Sequence, residues 1–332
     1  MAEFLPCRIL GDPLQGIFDF ADKSVDWETS IYPFFECLGQ LETPWRWNNA
    51  GSYELGNWLK ECRDTLLAGQ KINLHGRLPN SVKKVTVDLD DYSNPKRFTL
   101  FYDFLVDDAT VIAIRSGDQL SKNKTHALSR ALAGKFSSIE EVEGKELLAF
   151  IKKFESASTI QKGFKLALDF TKKCFTGVDG ILTSGTKRGE IAKQTKATKY
   201  PAILNSANCY LASPTSKHLR DFFCLVRDHP ATCTYRRDLL NRFLNVLGLH
   251  VDGNAPTLLE SANLYQRHFR HSGRPIRHSK LIATTLLVKG LEYDHAIILD
   301  ADSLDLKQLY VAMTRGARSL TIISRNYELP VK

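Results

Sequence analysis

Hydrophobic positions along the chain follow two different periods, and the period changes twice. Between residues 48 and 155, short apolar runs such as TVIAIRS (110–116) alternate with segments of helical spacing such as 51–70. This alternation is typical of an α/β layer. The pattern also predicts strands within 7–18 and at 83–90, and helices at 97–107, 125–134 and 144–155.

From about residue 156 to 275 the pattern is helical throughout, with polar and Gly/Pro connectors. After Pro275 the α/β pattern returns, with strands expected at 280–288, 295–301 and 319–324 and a helix at 305–317. The sequence therefore predicts an α/β domain that is interrupted by a helical insertion. The expected boundaries are 1–47 for a first fragment, 48–155 and 276–332 for the α/β domain, and 156–275 for the insertion.

Composition indicates a soluble protein with a preference for polyanions. The chain has 332 residues, 43% of them hydrophobic and 25% charged, and 45 Lys and Arg against 37 Asp and Glu. A basic balance suits phosphate backbones, although a generically basic surface explains it equally well. The seven cysteines form no CxxC pair and no apolar run reaches about 20 residues. We therefore expect buried, reduced thiols in a cytoplasmic protein that does not contact a membrane.

The stretch GDPLQGIFDF (11–20) combines a tight turn with an amide side chain and two aromatic rings. Gln15 at a strand end can sense a phosphate or orient a water. Phe18 and Phe20 share a face if the backbone is extended, and such rings can stack on unpaired bases. Both rings are also compatible with an ordinary core position.

The stretch TPWRWNNAG (43–51) places Arg46 between two tryptophans. Trp45 or Trp47 can cover a purine ring, and the planar fork of Arg46 can bind a phosphate. A packed tryptophan pair beside a surface arginine is the alternative interpretation.

Two stretches near the C-terminus, KGLEYD and LYVAMTRGARSL, carry further candidates. Gly290 permits close backbone approach, and Glu292 can accept a hydrogen bond from a sugar hydroxyl. Arg315 and Arg318 lie one turn apart, and arginines delivered to a γ-phosphate stabilise the charge of phosphoryl transfer. Either stretch taken singly is also compatible with ordinary surface charge.

Taken in order, GDPLQGIFDF, PWRWN, KGLEYD and LYVAMTRGARSL resemble motifs III, IV, V and VI of the superfamily 1 helicases of the UvrD/Rep/PcrA type. The resemblance implies a RecA-like P-loop NTPase fold. Residues 1–47 would be the C-terminal fragment of domain 1A, 48–155 and 276–332 the two parts of domain 2A, and 156–275 a 2B-like insertion. It further implies an ATP-dependent DNA helicase that translocates 3′→5′ on single strands.

For the nucleotide, the resemblance implies roles for residues in all four motifs. Gln15 would couple the γ-phosphate to the DNA site, and Arg46 and Arg315 would contact that phosphate. The expected cofactor-binding residues are Trp45 over the adenine, Gly290 in the same loop, and Glu292 on the ribose.

For DNA, the resemblance places Phe18 and Phe20 where the family stacks bases, and Thr284 and Lys289 near the backbone. The segment YQRHFRHSGRPIRHSK (265–280) adds a basic run that suits a phosphate backbone, with a solvated linker as the alternative. Its arginines are Arg267, Arg270, Arg274 and Arg277.

The sequence departs from the family in several places. Trp45 stands where the family usually has Tyr, Pro44 where it has Asn, and Leu286 where many relatives have His. No GxxxxGK[ST] motif is present, and no DExQ-type acidic pair precedes Gly11. The phosphate cradle, its Lys and the Mg²⁺ carboxylate would therefore come from elsewhere.

We accordingly expect the C-terminal part of a longer or split helicase, which does not hydrolyse ATP alone. Its expected partners are single-stranded DNA and an N-terminal domain or separate polypeptide, and its cofactors are ATP and Mg²⁺. The alternative is a non-catalytic DNA-binding or partner-binding remnant. A Gabija-like anti-phage helicase component with a nuclease partner is a further alternative.

Overall fold

A computed structural model describes residues 8–17, 25–91, 93–106, 108–272 and 278–331. It divides into two units, residues 1–125 with 279–332 and residues 126–278. The helices are α1 Trp27–Ser30, α2 Trp45–Asn49, α3 Tyr53–Leu67, α4 Thr99–Tyr102, α5 Gln119–Ala131, α6 Lys145–Glu155, α7 Ile160–Cys174, α8 Val178–Ile181, α9 Ser184–Arg188, α10 Pro201–Ala212, α11 Ser216–Arg227, α12 Arg237–Val251, α13 Leu258–Ser272, α14 Thr285–Val288 and α15 Leu306–Met313. The strands are β1 Ile72–Asn73, β2 Val82–Val85, β3 Val111–Arg115, β4 Ser137–Ser138, β5 Phe175–Thr176, β6 Cys233–Thr234, β7 Lys280–Thr284, β8 Tyr293–Ile298, β9 Gly316–Ile323 and β10 Glu328–Leu329.

The first unit is an α/β layer, as the alternating pattern predicts. Five of its strands form a parallel sheet in the order β2–β9–β8–β3–β7. All five side chains of the central strand β3 are buried, which explains its continuous apolar run. Parallel strands need crossover connections, and the helices supply them. The fold class is therefore α/β with a parallel sheet flanked by helices.

The second unit is helical and has its own apolar core. α7, α11 and α12 contribute buried aromatic rings that contact one another, with centroid distances from 4.8 to 5.9 Å. These rings belong to Phe164, Phe170, Phe222, Phe223 and Phe243.

The division between the units falls earlier than the sequence pattern places it. We expected the helical insertion to begin at residue 156, whereas the second unit begins at residue 126. The reason is packing, because Leu147 and Ile151 of α6 are buried in the core of the helical unit. Periodicity alone does not reveal which core a helix joins.

Local turn chemistry accounts for other differences. Asp12 accepts a hydrogen bond from the Leu14 amide at 3.1 Å, so residues 13–15 form a 3-10 turn and residues 8–17 contain no strand. β2 ends at Val85. The chain then turns at Asp88, whose side-chain oxygen accepts a hydrogen bond from the Asp90 amide at 2.9 Å. Only the first part of the expected strand 280–288 is a strand. β7 pairs with β3 as far as Thr284, opposite Arg115 at the end of β3, and the chain continues as helix α14.

The cysteines only partly follow expectation. None of the six described cysteines is in a disulfide; Cys62 and Cys174 are buried, whereas Cys37, Cys209 and Cys233 are exposed. Burial raises the pKa of the Cys62 thiol to about 12. In the described part of the chain, no helix is both long enough and apolar enough to cross a membrane.

Candidate nucleotide site at the α15–β9 junction

Arg315 lies at the junction between α15 and β9 and is 2% exposed. Its Nε donates to the Val311 carbonyl at 2.8 Å, Nη1 to the Leu291 carbonyl at 3.1 Å, and Nη2 to Thr314 Oγ1 at 2.7 Å. All three acceptors are neutral, and within the described residues no carboxylate forms an ion pair with this guanidinium. Desolvation, followed by the neighbouring charge of Arg46, lowers the pKa of Arg315 to about 10.

Arg46 reaches the same junction from α2. Its Nε donates to Glu292 Oε2 at 2.9 Å and its Nη1 to the Thr314 carbonyl at 2.6 Å. The next residue, Trp47, fixes α2 in place because its indole Nε1 donates to the Gly316 carbonyl at 2.9 Å. Two guanidinium groups that are far apart in sequence therefore converge beside one carboxylate.

Gln15 is connected to α15 by the carboxylate of Asp12. The Gln15 amide donates to Asp12 Oδ2 at 3.2 Å, and Arg63 lies 3.5 Å from the other carboxylate oxygen of Asp12. Burial, followed by the negative charge of Asp12, raises the pKa of Tyr310 on α15 to about 12. The 3-10 turn thus packs on α15, which ends at Met313, two residues before Arg315.

The predicted nucleoside-binding residues are accessible. Trp45 is 68% exposed, in contrast to the anchored Trp47, and the Glu292 side chain is 52% exposed. Gly290 adopts a φ of +79° in an open loop where an added Cβ would meet nothing within 4 Å. The left-handed backbone, rather than lack of space, accounts for glycine here.

The other predicted DNA residues lie outside this cluster. Thr284 is buried at the end of β7, and its hydroxyl has no hydrogen-bond partner in the described structure. Lys289 is half-buried, and Arg267 is exposed on α13 of the helical unit. Phe18, Phe20, Arg274 and Arg277 lie outside the described residues, as does the side chain of Arg270.

Several residues of the cluster were not anticipated from the sequence. Thr314 accepts from both arginines, through its hydroxyl and its carbonyl, and Asp12 with Arg63 connects Gln15 to Tyr310. The only available signal was Asp12 before Pro13, which is typical of a helix cap.

Gly316, directly after Arg315, tolerates no side chain. A Cβ at this position would lie 2.4 Å from the Ser319 carbonyl oxygen and 2.9 Å from the Ala296 amide nitrogen. We expect Gly316→Ala to lower the free energy of unfolding by about 1–3 kcal/mol, because neither backbone atom can move without disturbing the sheet. Urea denaturation measures this change in the free energy of unfolding. The matched control is Gly76→Ala, where a Cβ meets nothing within 4 Å, and equal losses in both variants would contradict the packing account.

The sequence matches no protein-family model and no curated protein sequence. The functional interpretation therefore depends on the motif residues and on the geometry of this cluster.

Proposed function

We propose that this chain is the C-terminal motor portion of an ATP-dependent 3′→5′ DNA helicase or translocase of the UvrD-like class. In this proposal the α15–β9 junction faces the triphosphate of ATP, and the chain forms a RecA-like 2A domain with a 2B-like helical insertion. A fragment of domain 1A within residues 1–47 would contribute Gln15.

The observation that supports the proposal best is the burial of Arg315 without a carboxylate partner. A buried cation beside a second guanidinium is electrostatically unfavourable in the isolated protein. Such perturbed groups are concentrated at functional sites. An anion placed between Arg46 and Arg315 would relieve both the repulsion and the unpaired charge, and a γ-phosphate supplies such an anion.

The nucleoside would extend from this junction along accessible residues. Trp45 offers an exposed ring for the adenine, and Glu292 offers a carboxylate for the ribose hydroxyls. Glu292 now accepts from Arg46, so nucleotide binding requires that pair to separate. Because the side chains of this pair are partly exposed, the separation is inexpensive.

Hydrolysis needs groups that this sequence does not contain. No GxxxxGK[ST] motif is present, so a second domain or polypeptide would supply the phosphate cradle, its Lys and the Mg²⁺ ligands. Arg46 and Arg315 would then draw the two domains together around the γ-phosphate, and hydrolysis would release them. Single-stranded DNA would be the track, contacted by Phe18, Phe20 and Lys289; Thr284 is left out because its side chain is buried.

Calorimetric titration with a non-hydrolysable ATP analogue and with ADP tests the nucleotide site directly. We expect the chain to bind the triphosphate more tightly than ADP, because only the triphosphate presents the γ-phosphate to the arginines. Trp45→Ala should lower the affinity for both nucleotides about tenfold, or ~1.4 kcal/mol. It should leave the free energy of unfolding unchanged, since the ring is exposed. Equal affinity for the two nucleotides would contradict the proposed role of the arginines.

A further inference from the structure

Arg46 has two acceptors that differ in charge and in exposure. Its Nε donates to Glu292 Oε2 at 2.9 Å, and its Nη1 donates to the Thr314 carbonyl at 2.6 Å. The Glu292 side chain is exposed, whereas Thr314 is buried. A guanidinium binds a phosphate through two bonds either with Nε and Nη2 or with Nη1 and Nη2. Each of these pairs therefore contains one nitrogen of Arg46 that already has an acceptor.

The acceptor that Arg46 can release at the lower cost is Glu292. An exposed carboxylate exchanges its partner for water, and exposed ion pairs contribute little to stability. The Thr314 carbonyl would instead be left buried without this hydrogen bond. The backbone does not have to move, because the Trp47 indole fixes α2 on the Gly316 carbonyl. Arg46 can therefore change its anionic partner while α2 keeps its position.

The charges at the junction make Glu292 and a γ-phosphate competitors for Arg46. Burial lowers the pKa of Arg315 and the charge of Arg46 lowers it further, whereas Glu292 raises it. Glu292 thus offsets part of the positive charge while the junction holds no phosphate. A γ-phosphate between the two guanidinium groups would repel this carboxylate, because both are anions.

We propose that Arg46 couples recognition of the γ-phosphate to recognition of the ribose. Without a γ-phosphate, Arg46 holds Glu292 and neutralises the carboxylate that would accept from the ribose hydroxyls. With a γ-phosphate, Arg46 binds the phosphate through Nε and Nη2, and Glu292 accepts from the hydroxyls with its full charge. The coupling rests on the nucleotide site proposed above. It makes the ribose contact depend on the γ-phosphate, so a diphosphate loses both contacts.

Calorimetric titration with four ligands separates the two contacts. The ligands are ADP, a non-hydrolysable ATP analogue, and the 2′,3′-dideoxy form of each. In the unaltered chain, loss of the hydroxyls should weaken the triphosphate by a factor about 2–5 times larger than it weakens the diphosphate, as expected for one exposed ion pair. By linkage, the hydroxyls should increase the preference for the triphosphate by the same factor.

Arg46→Gln should abolish this difference between the nucleotides. Glu292 is then free with either ligand, so loss of the hydroxyls should weaken ADP and the ATP analogue equally. ADP should also depend more on its hydroxyls than it does in the unaltered chain. The matched control is Arg325→Gln, which removes an exposed partner of Asp88, at 2.7 Å, from the same unit. The control should keep the coupling, and thermal denaturation verifies that both variants fold.

The outcomes distinguish the coupling from the nucleotide site itself. Equal factors for the two nucleotides in the unaltered chain, with the triphosphate still bound more tightly, would overturn the coupling and leave the site intact. A difference that persists in Arg46→Gln would overturn the role of Arg46. Absence of binding by all four ligands would overturn both the site and the coupling.

Discussion

Replacing Arg236 with methionine is expected to lower the free energy of unfolding of the helical unit by about 3–5 kcal/mol. Arg236 is 4% exposed and binds two carboxylates. Its Nε and Nη2 donate to Glu140 at 2.7 and 2.6 Å, and its Nη1 and Nη2 donate to Glu146 at 3.2 and 2.6 Å. Without the guanidinium, the nearly buried Glu140 loses the two hydrogen bonds and the opposite charge that offset its burial. Urea denaturation monitored by circular dichroism measures the loss.

The exposed pair Arg188–Glu190 provides the control, because Arg188→Met should leave the free energy of unfolding unchanged.

Acid should also weaken the network that Arg236 forms with Glu140 and Glu146. Burial opposes ionisation of Glu146, yet Arg236 and then Lys173 lower the pKa of that carboxyl to about 2. A lowered pKa in the folded state stabilises the protein fully above about pH 4.3, and this contribution is lost as the pH falls towards 2. Arg236→Met should show a smaller acid dependence, and an unchanged profile would contradict the network.

Replacing Arg315 with methionine should change stability little and reduce ATP hydrolysis strongly, in contrast to Arg236→Met. We expect the free energy of unfolding to stay within about 1 kcal/mol, because the loss of three hydrogen bonds is offset by removal of a buried, unpaired cation. The lowered pKa of Arg315 corresponds to a cost on the order of 3 kcal/mol for that charge. ATP hydrolysis, measured with the phosphate-cradle domain supplied, should fall about 10³–10⁵-fold.

Arg318→Met is the matched control for this variant. Arg318 lies three residues further along β9, is exposed, and pairs with Asp294 at 3.1 Å. It should change neither stability nor hydrolysis appreciably. A loss of several kcal/mol in Arg315→Met, together with an undiminished rate of hydrolysis, would show that Arg315 is a structural residue only.

The sequence pattern predicted the elements whose neighbours are local. β3 appears close to its predicted position because a continuous apolar run decides it. α7, α11 and α12 lie within residues 156–275, where the helical period predicts helices. The sequence pattern failed where a single polar side chain redirects the backbone, as Asp12 and Asp88 do.

For the site, the motifs identified which residues to consider, and the fold supplied their relations. The motifs named Arg46, Glu292 and Arg315 as candidates, and the structure brings these three residues close together. The anchoring of Trp47 on Gly316 and the double role of Thr314 depend on how α2 meets the start of β9, which no local pattern encodes. The Arg236 network is likewise invisible in the sequence, because its carboxylates are 90 and 96 residues away.

DNA-stimulated ATP hydrolysis tests the central claim most directly. The chain is assayed alone and together with a polypeptide that carries the GxxxxGK[ST] motif of the proposed 1A domain. We predict hydrolysis only in the combined sample, an increase with single-stranded DNA, and its loss in Arg315→Met. Absence of hydrolysis in both samples, with DNA binding intact, would contradict the motor function and favour a non-catalytic DNA-binding remnant.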